Sequence, residues 1–211
     1  MARFSRLQVW SKIEEVGLIP LFYEANPEVA KKVCEALAAG GAKVIEFTNR
    51  GDRAFEVFRE LIGYLDKAAP DVILGVGSVL DPATAGLFIN LGANFIVGSV
   101  TNPEVAKICN RRKIAYFPGC GTASEVSAAE ELGCEIVKVF PGSQLGGPGF
   151  VKAIKAPCPW SKVMPTGGVS ASYENIKSWF DAGVVGVGMG SDLVRADLIK
   201  AEDWAGITAL A

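Results

Sequence analysis

Residues 44–65, VIEFTNRGDRAFEVFRELIGYL, contain one complete strand, loop and helix. The segment opens with a short apolar run interrupted by one glutamate, which is typical of a strand that is buried on both faces. A polar loop follows, and the rest of the segment carries apolar residues at helical spacing: Ala54, Val57, Phe58, Leu61, Ile62 and Leu65. The segment therefore predicts a buried β-strand followed by an amphipathic helix.

The same unit repeats along the chain. Eight short apolar runs are candidate strands, and their starts lie 20 to 28 residues apart, which leaves room for a helix and two short loops in each interval. The runs are residues 18–22, 44–47, 72–76, 95–97, 115–117, 136–140, 163–164 and 184–187. Capping residues precede a proline at three predicted helix starts, Asn26-Pro27, Asp81-Pro82 and Asn102-Pro103.

Eight successive β-α units without a linker predict one α/β domain over residues 1–211, folded as a closed (β/α)8 TIM barrel. Residues 5–16 are predicted to form an extra helix before the first strand. An open, doubly wound sheet is the alternative, but no GxGxxG motif follows the first strand to favour it.

The composition excludes several classes of active site. The chain of 211 residues has no histidine, so neither a Ser-His-Asp nor a Cys-His nucleophile is available. Proton transfer would fall to carboxylates, lysine, tyrosine, cysteine or water. The net charge of -2 gives no reason to expect nucleic acid or an anionic membrane as a partner.

The cysteines and the termini predict a cytoplasmic protein. The five cysteines are odd in number and include no CxxC pair, so neither disulfides nor a metal site built from cysteines is expected. No apolar stretch follows the basic N-terminus, so no signal peptide is expected. Residues 82–103 lack charge, but their proline, asparagines and glycines argue against a membrane span.

Two charged residues interrupt predicted strands. Lys138 lies in Ile136-Val137-Lys138-Val139-Phe140, and Glu46 lies between Ile45 and Phe47. Burial favours the neutral amine of a lysine, which can attack a carbonyl carbon. A buried Lys-Glu pair that only fixes packing is the structural alternative, and the sequence alone does not separate the two.

Polar and glycine-rich segments follow several of the strands, where such barrels carry their active sites. Arg50 could clamp a substrate carboxylate. Two glycine-rich loops predict a phosphate site, Pro165-Thr166-Gly167-Gly168-Val169-Ser170 after the seventh strand and residues 186–192 at the eighth. The second loop is predicted to open the last helix. Gly75-Val76-Gly77-Ser78 adds a hydroxyl after the third strand.

Taken together, these residues resemble the 2-keto-3-deoxy-6-phosphogluconate (KDPG) aldolase family, which includes 4-hydroxy-2-oxoglutarate aldolases. The resemblance runs from Gly17 to Val194. Its most specific motifs are Ile45-Glu46-Phe47-Thr48-Asn49-Arg50, Val137-Lys138-Val139-Phe140-Pro141 and Pro165-Thr166-Gly167-Gly168-Val169. Pro118-Gly119-Cys120-Gly121-Thr122 also resembles the family's turn after the fifth strand.

The resemblance implies a class I aldolase without a metal or another cofactor. It would cleave KDPG reversibly to pyruvate and glyceraldehyde 3-phosphate, or 4-hydroxy-2-oxoglutarate to pyruvate and glyoxylate, and would form a homotrimer. Lys138 would be the Schiff-base lysine and Glu46 the general acid and base. The implied substrate-binding residues are Arg50, Ser78, Phe140, Thr166, Gly167, Gly168, Gly190 and Ser191.

The chain departs from the family pattern in loops that would face the substrate. The family commonly has threonine at the position of Ser78, and often a Ser-Pro-Gly turn where this chain has Gly98-Ser99-Val100.

Two other functions would use the same glycine loops. One is a sugar-phosphate isomerase or epimerase, and the other is a barrel that binds phosphosugars without catalysis.

Overall fold

The structure is a computed structural model that describes residues 2–211. The strands are β1 (Leu18–Phe22), β2 (Val44–Thr48), β3 (Ile73–Gly77), β4 (Phe95–Val97), β5 (Ala115–Phe117), β6 (Gly119–Cys120), β7 (Val137–Val139), β8 (Val163–Pro165) and β9 (Val187–Met189). The helices are α1 (Arg6–Val16), α2 (Pro27–Ala39), α3 (Ala54–Ala68), α4 (Pro82–Leu91), α5 (Pro103–Arg112), α6 (Ala123–Glu131), α7 (Pro148–Lys155), α8 (Tyr173–Phe180), α9 (Ala196–Lys200) and α10 (Trp204–Leu210).

The prediction of a closed eight-stranded barrel is wrong. Six parallel strands form one curled sheet in the order β5-β4-β3-β2-β1-β9, while β6, β7 and β8 form a separate sheet. The half-barrel is open, with its edges 11 Å apart. Pro118 separates β5, which pairs with β4, from β6, which pairs with β7; Pro118 has no N–H to donate, while its carbonyl accepts from the Lys138 N–H. An isolated bridge between Thr166 and Gly188 joins the β8 side to β9, and the Val185 N–H, just before β9, donates to the Val163 carbonyl on β8.

The predicted α/β class is confirmed, since helices pack on parallel strands. Side chains along each strand alternate between two apolar layers. On β2, Val44 belongs to an inner cluster enclosed by the strands, whereas Ile45 and Phe47 belong to the outer cluster under the helices. Burial on both faces accounts for the nearly continuous apolar runs in the sequence. Two charged side chains, Glu46 and Lys138, are buried at the middle positions of β2 and β7.

The extra N-terminal helix is confirmed as α1. Ser5 and Gln8 form a capping box at its start, and Gly17 ends it in the left-handed conformation. Val9 and Ile13 on this helix are fully buried in the inner cluster. Helix α1 therefore covers the amino-terminal end of the strands and leaves their carboxyl ends to form a site.

The predicted helix starts at Asn26, Asp81 and Asn102 are confirmed. Each side chain accepts hydrogen bonds from backbone N–H groups in the first turn of α2, α4 or α5. The proline that follows occupies the first helical position in all three.

None of the helices within residues 2–211 has both the length and the apolar character needed to cross a bilayer.

Four of the five cysteines are buried, and their thiols have raised pKa values. Burial raises the pKa of Cys109 and Cys134 to about 12 and that of Cys120 to about 11, and holds the pKa of Cys34 far above its ordinary value. Cys158 is half-buried. Because the thiolate is the reactive form, iodoacetamide at neutral pH should label Cys158 alone in the native protein and all five cysteines in urea.

Mass spectrometry of tryptic peptides measures this labelling. Cys158→Ser serves as the control and should leave the native protein unlabelled. Rapid native labelling of Cys34 or Cys109 would contradict the burial described above.

Candidate active site

Lys138 and Glu46 face each other across the inner layer. Lys138 is the middle residue of β7, and its ammonium Nζ lies 4.0 Å from Oε1 of Glu46 on β2. The two side chains are only 7% and 3% exposed. Alternation along both strands turns them inward, because Val137 and Val139 occupy the outer cluster. The structure thus brings together two residues that lie far apart in the sequence.

The pair lacks the contacts that a buried structural ion pair needs. Within residues 2–211, neither Lys138 Nζ nor the Glu46 carboxylate makes a hydrogen bond, and 4.0 Å is too long for one between them. The Nζ also lies 5.3 Å from the centre of the Phe140 ring. Because buried charges recover their lost hydration only through close, hydrogen-bonded geometry, this spacing suits an incoming reactant better than a packing contact.

Gly77 makes room for the Glu46 carboxylate. A Cβ at position 77 would overlap Glu46 Oε1. Gly77 ends β3 and pairs with Thr48, two residues after the glutamate. A side chain at position 77 would therefore displace the carboxylate from its place opposite Lys138.

A cleft of about 390 Å³ opens at the carboxyl ends of the strands. It holds seven of the residues predicted from the sequence: Arg50, Phe140, Thr166, Gly167, Gly168, Gly190 and Ser191. Arg50 is exposed at its mouth and forms no ion pair within the described residues. Lys138 and Glu46 are not in its lining but lie directly beside it, since Phe140 contacts Lys138 and Leu21 is the register partner of Glu46.

The first glycine loop exposes backbone donors to this cleft. Gly167 and Gly168 have φ angles of +92° and +77°, a conformation that favours glycine. Within the part of the chain that the structure describes, their N–H groups and that of Ser191 donate no hydrogen bond. Unpaired N–H groups converging on a cleft are suited to bind an oxyanion.

The second glycine loop differs from expectation, because it does not open a helix. Leu193 and Val194 donate their N–H groups back to the Gly190 carbonyl, which forms a turn, and α9 begins only at Ala196. The loop therefore contributes backbone groups but no helix N-terminus to the cleft.

Ser78 lies outside the residues that line the cleft. It follows β3 directly, is half-buried, and adopts a φ angle of +60°. Ser78 directly follows Gly77, the glycine beside the Glu46 carboxylate, and is not among the residues that line the cleft with Arg50 and the glycine loops.

Five further residues line the cleft. Four of them, Val169, Ser170, Gly188 and Asp192, lie in the two glycine-rich loops predicted from the sequence, although they were not assigned individually as substrate-binding residues. Sequence reasoning missed only Leu21, which lies in an ordinary apolar run and carried no signal of its own. Strand alternation could have drawn attention to Thr48, which lies two residues after Glu46.

A larger cavity, of about 670 Å³, lies elsewhere, beside α1 and residues 112–114. It contains none of the residues that the sequence singled out. The smaller cleft is the one that adjoins the Lys138–Glu46 pair.

An amine paired with a carboxylate, beside a cleft with a free guanidinium and unpaired N–H groups, defines the class of a carbonyl-processing enzyme for anionic substrates. Comparison with known proteins agrees with that class. Residues 9–210 match the family model described as KDPG and KHG aldolase.

Individual relatives cover nearly the whole chain. The KHG/KDPG aldolase of Escherichia coli K12 is 31% identical over 92% of this chain and 88% of its own length. The 2-dehydro-3-deoxy-6-phosphogalactonate aldolase of the same organism is 39% identical over 86% of each chain. The crystal structure of Legionella pneumophila KDPG aldolase, with pyruvate captured as a covalent carbinolamine, is 31% identical, has a TM-score of 0.84, and covers 92% of this chain and 91% of its own.

The chain belongs to the KDPG and KHG aldolase family. The resemblance stated from the three motifs is thereby confirmed. The protein is an aldolase, a carbon–carbon lyase, rather than an isomerase, an epimerase or a non-catalytic binding barrel.

Proposed function

We propose that this protein is a class I aldolase in which Lys138 forms a Schiff base with a 2-keto-3-deoxy sugar acid 6-phosphate. The reversible products are pyruvate and glyceraldehyde 3-phosphate. The observation that carries the proposal is the buried Lys138 Nζ, 4.0 Å from Glu46 Oε1 and without a hydrogen bond among the described residues. The small keto acid is the only partner that the mechanism requires.

The cleft supplies complementary groups for each end of such a substrate. Arg50 and the Thr166 hydroxyl bind the carboxylate, and Thr166 Oγ1 is buried without a partner within residues 2–211. The family resemblance assigns the same role to the hydroxyl of Ser78, which directly follows β3. The phosphate binds the backbone of Gly167, Gly168, Gly190 and Ser191. Phe140 packs against the carbon chain, beside the reacting amine.

Schiff-base formation moves one proton from Lys138 to Glu46 and from Glu46 to the oxygen that leaves. Glu46 takes a proton from the Lys138 ammonium, and the free amine attacks the C2 carbonyl to give a carbinolamine. Glu46 then returns the proton to the leaving oxygen, which departs as water and leaves an iminium on Lys138. The carboxylate is thereby regenerated for the next step.

Cleavage uses the iminium as the electron sink. Glu46 removes the C4 hydroxyl proton, the C3–C4 bond breaks, and its electron pair forms an enamine on Lys138 while the aldehyde leaves. Glu46 next gives this proton to C3, and hydrolysis of the resulting iminium releases pyruvate. One carboxylate serves both transfers, since the first leaves it protonated for the second.

Trapping with borohydride tests the proposal directly. Incubation of the protein with pyruvate and sodium borohydride should produce one reduced adduct, which peptide mass spectrometry should locate on Lys138. Borohydride without pyruvate is the control. An unmodified protein, or an adduct on Lys43 or Lys162 instead, would refute the assignment.

Assays with a panel of keto acids would identify which substrate of this class the protein cleaves. The relatives act on gluconate- and galactonate-derived substrates, which differ in configuration at C4, and their names also include 4-hydroxy-2-oxoglutarate. Turnover of each, with and without phosphate and after EDTA treatment, distinguishes them. We propose that activity survives EDTA, because the mechanism needs no metal or cofactor.

We also propose a single domain over residues 1–211, a homotrimer and a cytoplasmic location. The family resemblance supports the trimer, and light scattering after size-exclusion chromatography measures it. The five free cysteines are compatible with a reducing compartment.

A further inference from the structure

Thr48 carries a buried hydroxyl that the mechanism above does not use. The residue is fully buried, and its Oγ1 has no hydrogen-bond partner within residues 2–211. Leaving a buried hydroxyl unpaired is costly, and such groups call for a specific explanation. A valine would fill the same space at the end of β2 without that cost.

Alternation along β2 places the hydroxyl on the reacting face. Ile45 and Phe47 pack into the outer cluster, so Glu46 and Thr48 both face inward. Thr48 is also the register partner of Gly77, the glycine against which the Glu46 carboxylate lies. Both side chains therefore belong to the inner face of the sheet, and both residues adjoin Gly77.

The distance between the two charged groups leaves room for one oxygen. An Nζ–Oε1 distance of 4.0 Å is too long for a direct hydrogen bond, but one atom bound to the carbon under attack can approach both groups. During attack on a 2-keto acid that atom is the C2 oxygen. A third polar group next to Glu46 would fix its position.

We propose that Thr48 is a further catalytic residue, whose hydroxyl donates a hydrogen bond to the C2 oxygen of the keto acid while Lys138 attacks C2. This inference rests on the proposed Schiff-base mechanism. Thr48 would orient the C2 oxygen that Glu46 must protonate. Arg50 and the glycine loops do not fix this oxygen, because they hold the two ends of the substrate.

The hydrogen bond leaves the balance of the reaction unchanged. The Lys138 nitrogen forms a bond to C2, and the carbonyl π electrons move to oxygen, which takes a proton from that nitrogen. The C2–O bond then breaks, the oxygen leaves as water with the proton held by Glu46, and the nitrogen lone pair forms the iminium. Thr48 keeps its own proton throughout and only orients the oxygen.

Two substitutions at position 48 test the inference. Thr48→Val keeps the shape and removes the hydroxyl, whereas Thr48→Ser keeps the hydroxyl. We expect Thr48→Val to slow borohydride trapping of pyruvate on Lys138 by about tenfold or more, the effect of losing one well-placed hydrogen bond. Thr48→Ser should trap within about threefold of the wild-type rate. The melting temperature of Thr48→Val should not fall, because no hydrogen bond is lost in the free protein.

Thr208 offers a matched control outside the site. Its hydroxyl donates to the Ala36 carbonyl at 3.0 Å, so Thr208→Val should lower the melting temperature and leave the trapping rate unchanged. The inference about Thr48 is overturned if Thr48→Val traps pyruvate at the wild-type rate. It is also overturned if serine fails to rescue the rate and both variants melt early, since the role would then be structural.

The wild-type protein separates failure of this inference from failure of the aldolase mechanism. If wild type traps pyruvate on Lys138 and Thr48→Val does so equally fast, only the role of Thr48 is refuted. If wild type itself traps nothing on Lys138, the Schiff-base proposal fails and the role of Thr48 fails with it.

Discussion

Replacement of Lys138 by alanine should reduce aldol cleavage by at least about a thousandfold, because Lys138 is the only buried lysine within residues 2–211 and thus the only amine in the inner layer that can form the iminium. Borohydride should then leave no pyruvate adduct at position 138. Steady-state release of pyruvate, coupled to lactate dehydrogenase, measures the rate. Mass spectrometry of the borohydride-treated protein measures the adduct.

The alanine variant also leaves the Glu46 carboxylate buried without a cation, which itself destabilises the fold. Lys138→Arg separates the two effects, since a guanidinium keeps the positive charge but does not attack carbonyls. We expect the arginine variant to be inactive while melting closer to wild type than the alanine variant does. Lys162→Ala, at the half-buried residue that precedes β8, is the matched lysine control and should retain activity. Substantial activity in Lys138→Arg would show that the covalent step takes place elsewhere.

The positions of the strands could be predicted well, because each depends on local information. Burial on both faces produces apolar runs, and residues 18–22 and 95–97 coincide with β1 and β4. Closure of the sheet could not be predicted, because it depends on hydrogen bonds between strands that are distant in the sequence. The strands from β4 onwards have only two or three residues, and Pro118 between β5 and β6 has no N–H to donate, but neither feature changes the apolar pattern.

The Lys138–Glu46 pair could be predicted because each of the two residues is unusual within its own strand. A charged residue inside a buried strand is costly, so Lys138 and Glu46 stood out without any knowledge of their partners. Leu21 did not stand out, since its place in the lining depends on which strands and loops meet at the cleft. The prediction that a helix begins after Gly190 was wrong for a local reason. A turn at Leu193 and Val194 follows the loop, and α9 begins only at Ala196.

Replacement of Glu46 by glutamine should lower kcat for aldol cleavage by about 10² to 10⁴, the usual contribution of a general acid or base. The carboxamide keeps the shape of the side chain but cannot accept the C4 hydroxyl proton or return a proton to C3. Given a long incubation, pyruvate should still form an adduct on Lys138, because water can slowly supply the protons for dehydration.

Exchange of the pyruvate methyl protons with deuterium isolates the role of Glu46. Formation of the enamine from the pyruvate iminium needs a base at C3, so wild type should exchange these protons in D₂O and Glu46→Gln should not, as followed by proton NMR. Glu125→Gln, on α6 outside the cleft, is the matched control and should exchange at the wild-type rate. A glutamine variant that still exchanges rapidly while retaining the Lys138 adduct would show that another group moves the proton. Glu46 would then serve only to stabilise the charge of Lys138. A separation of 4.0 Å without a hydrogen bond is poorly suited to that role.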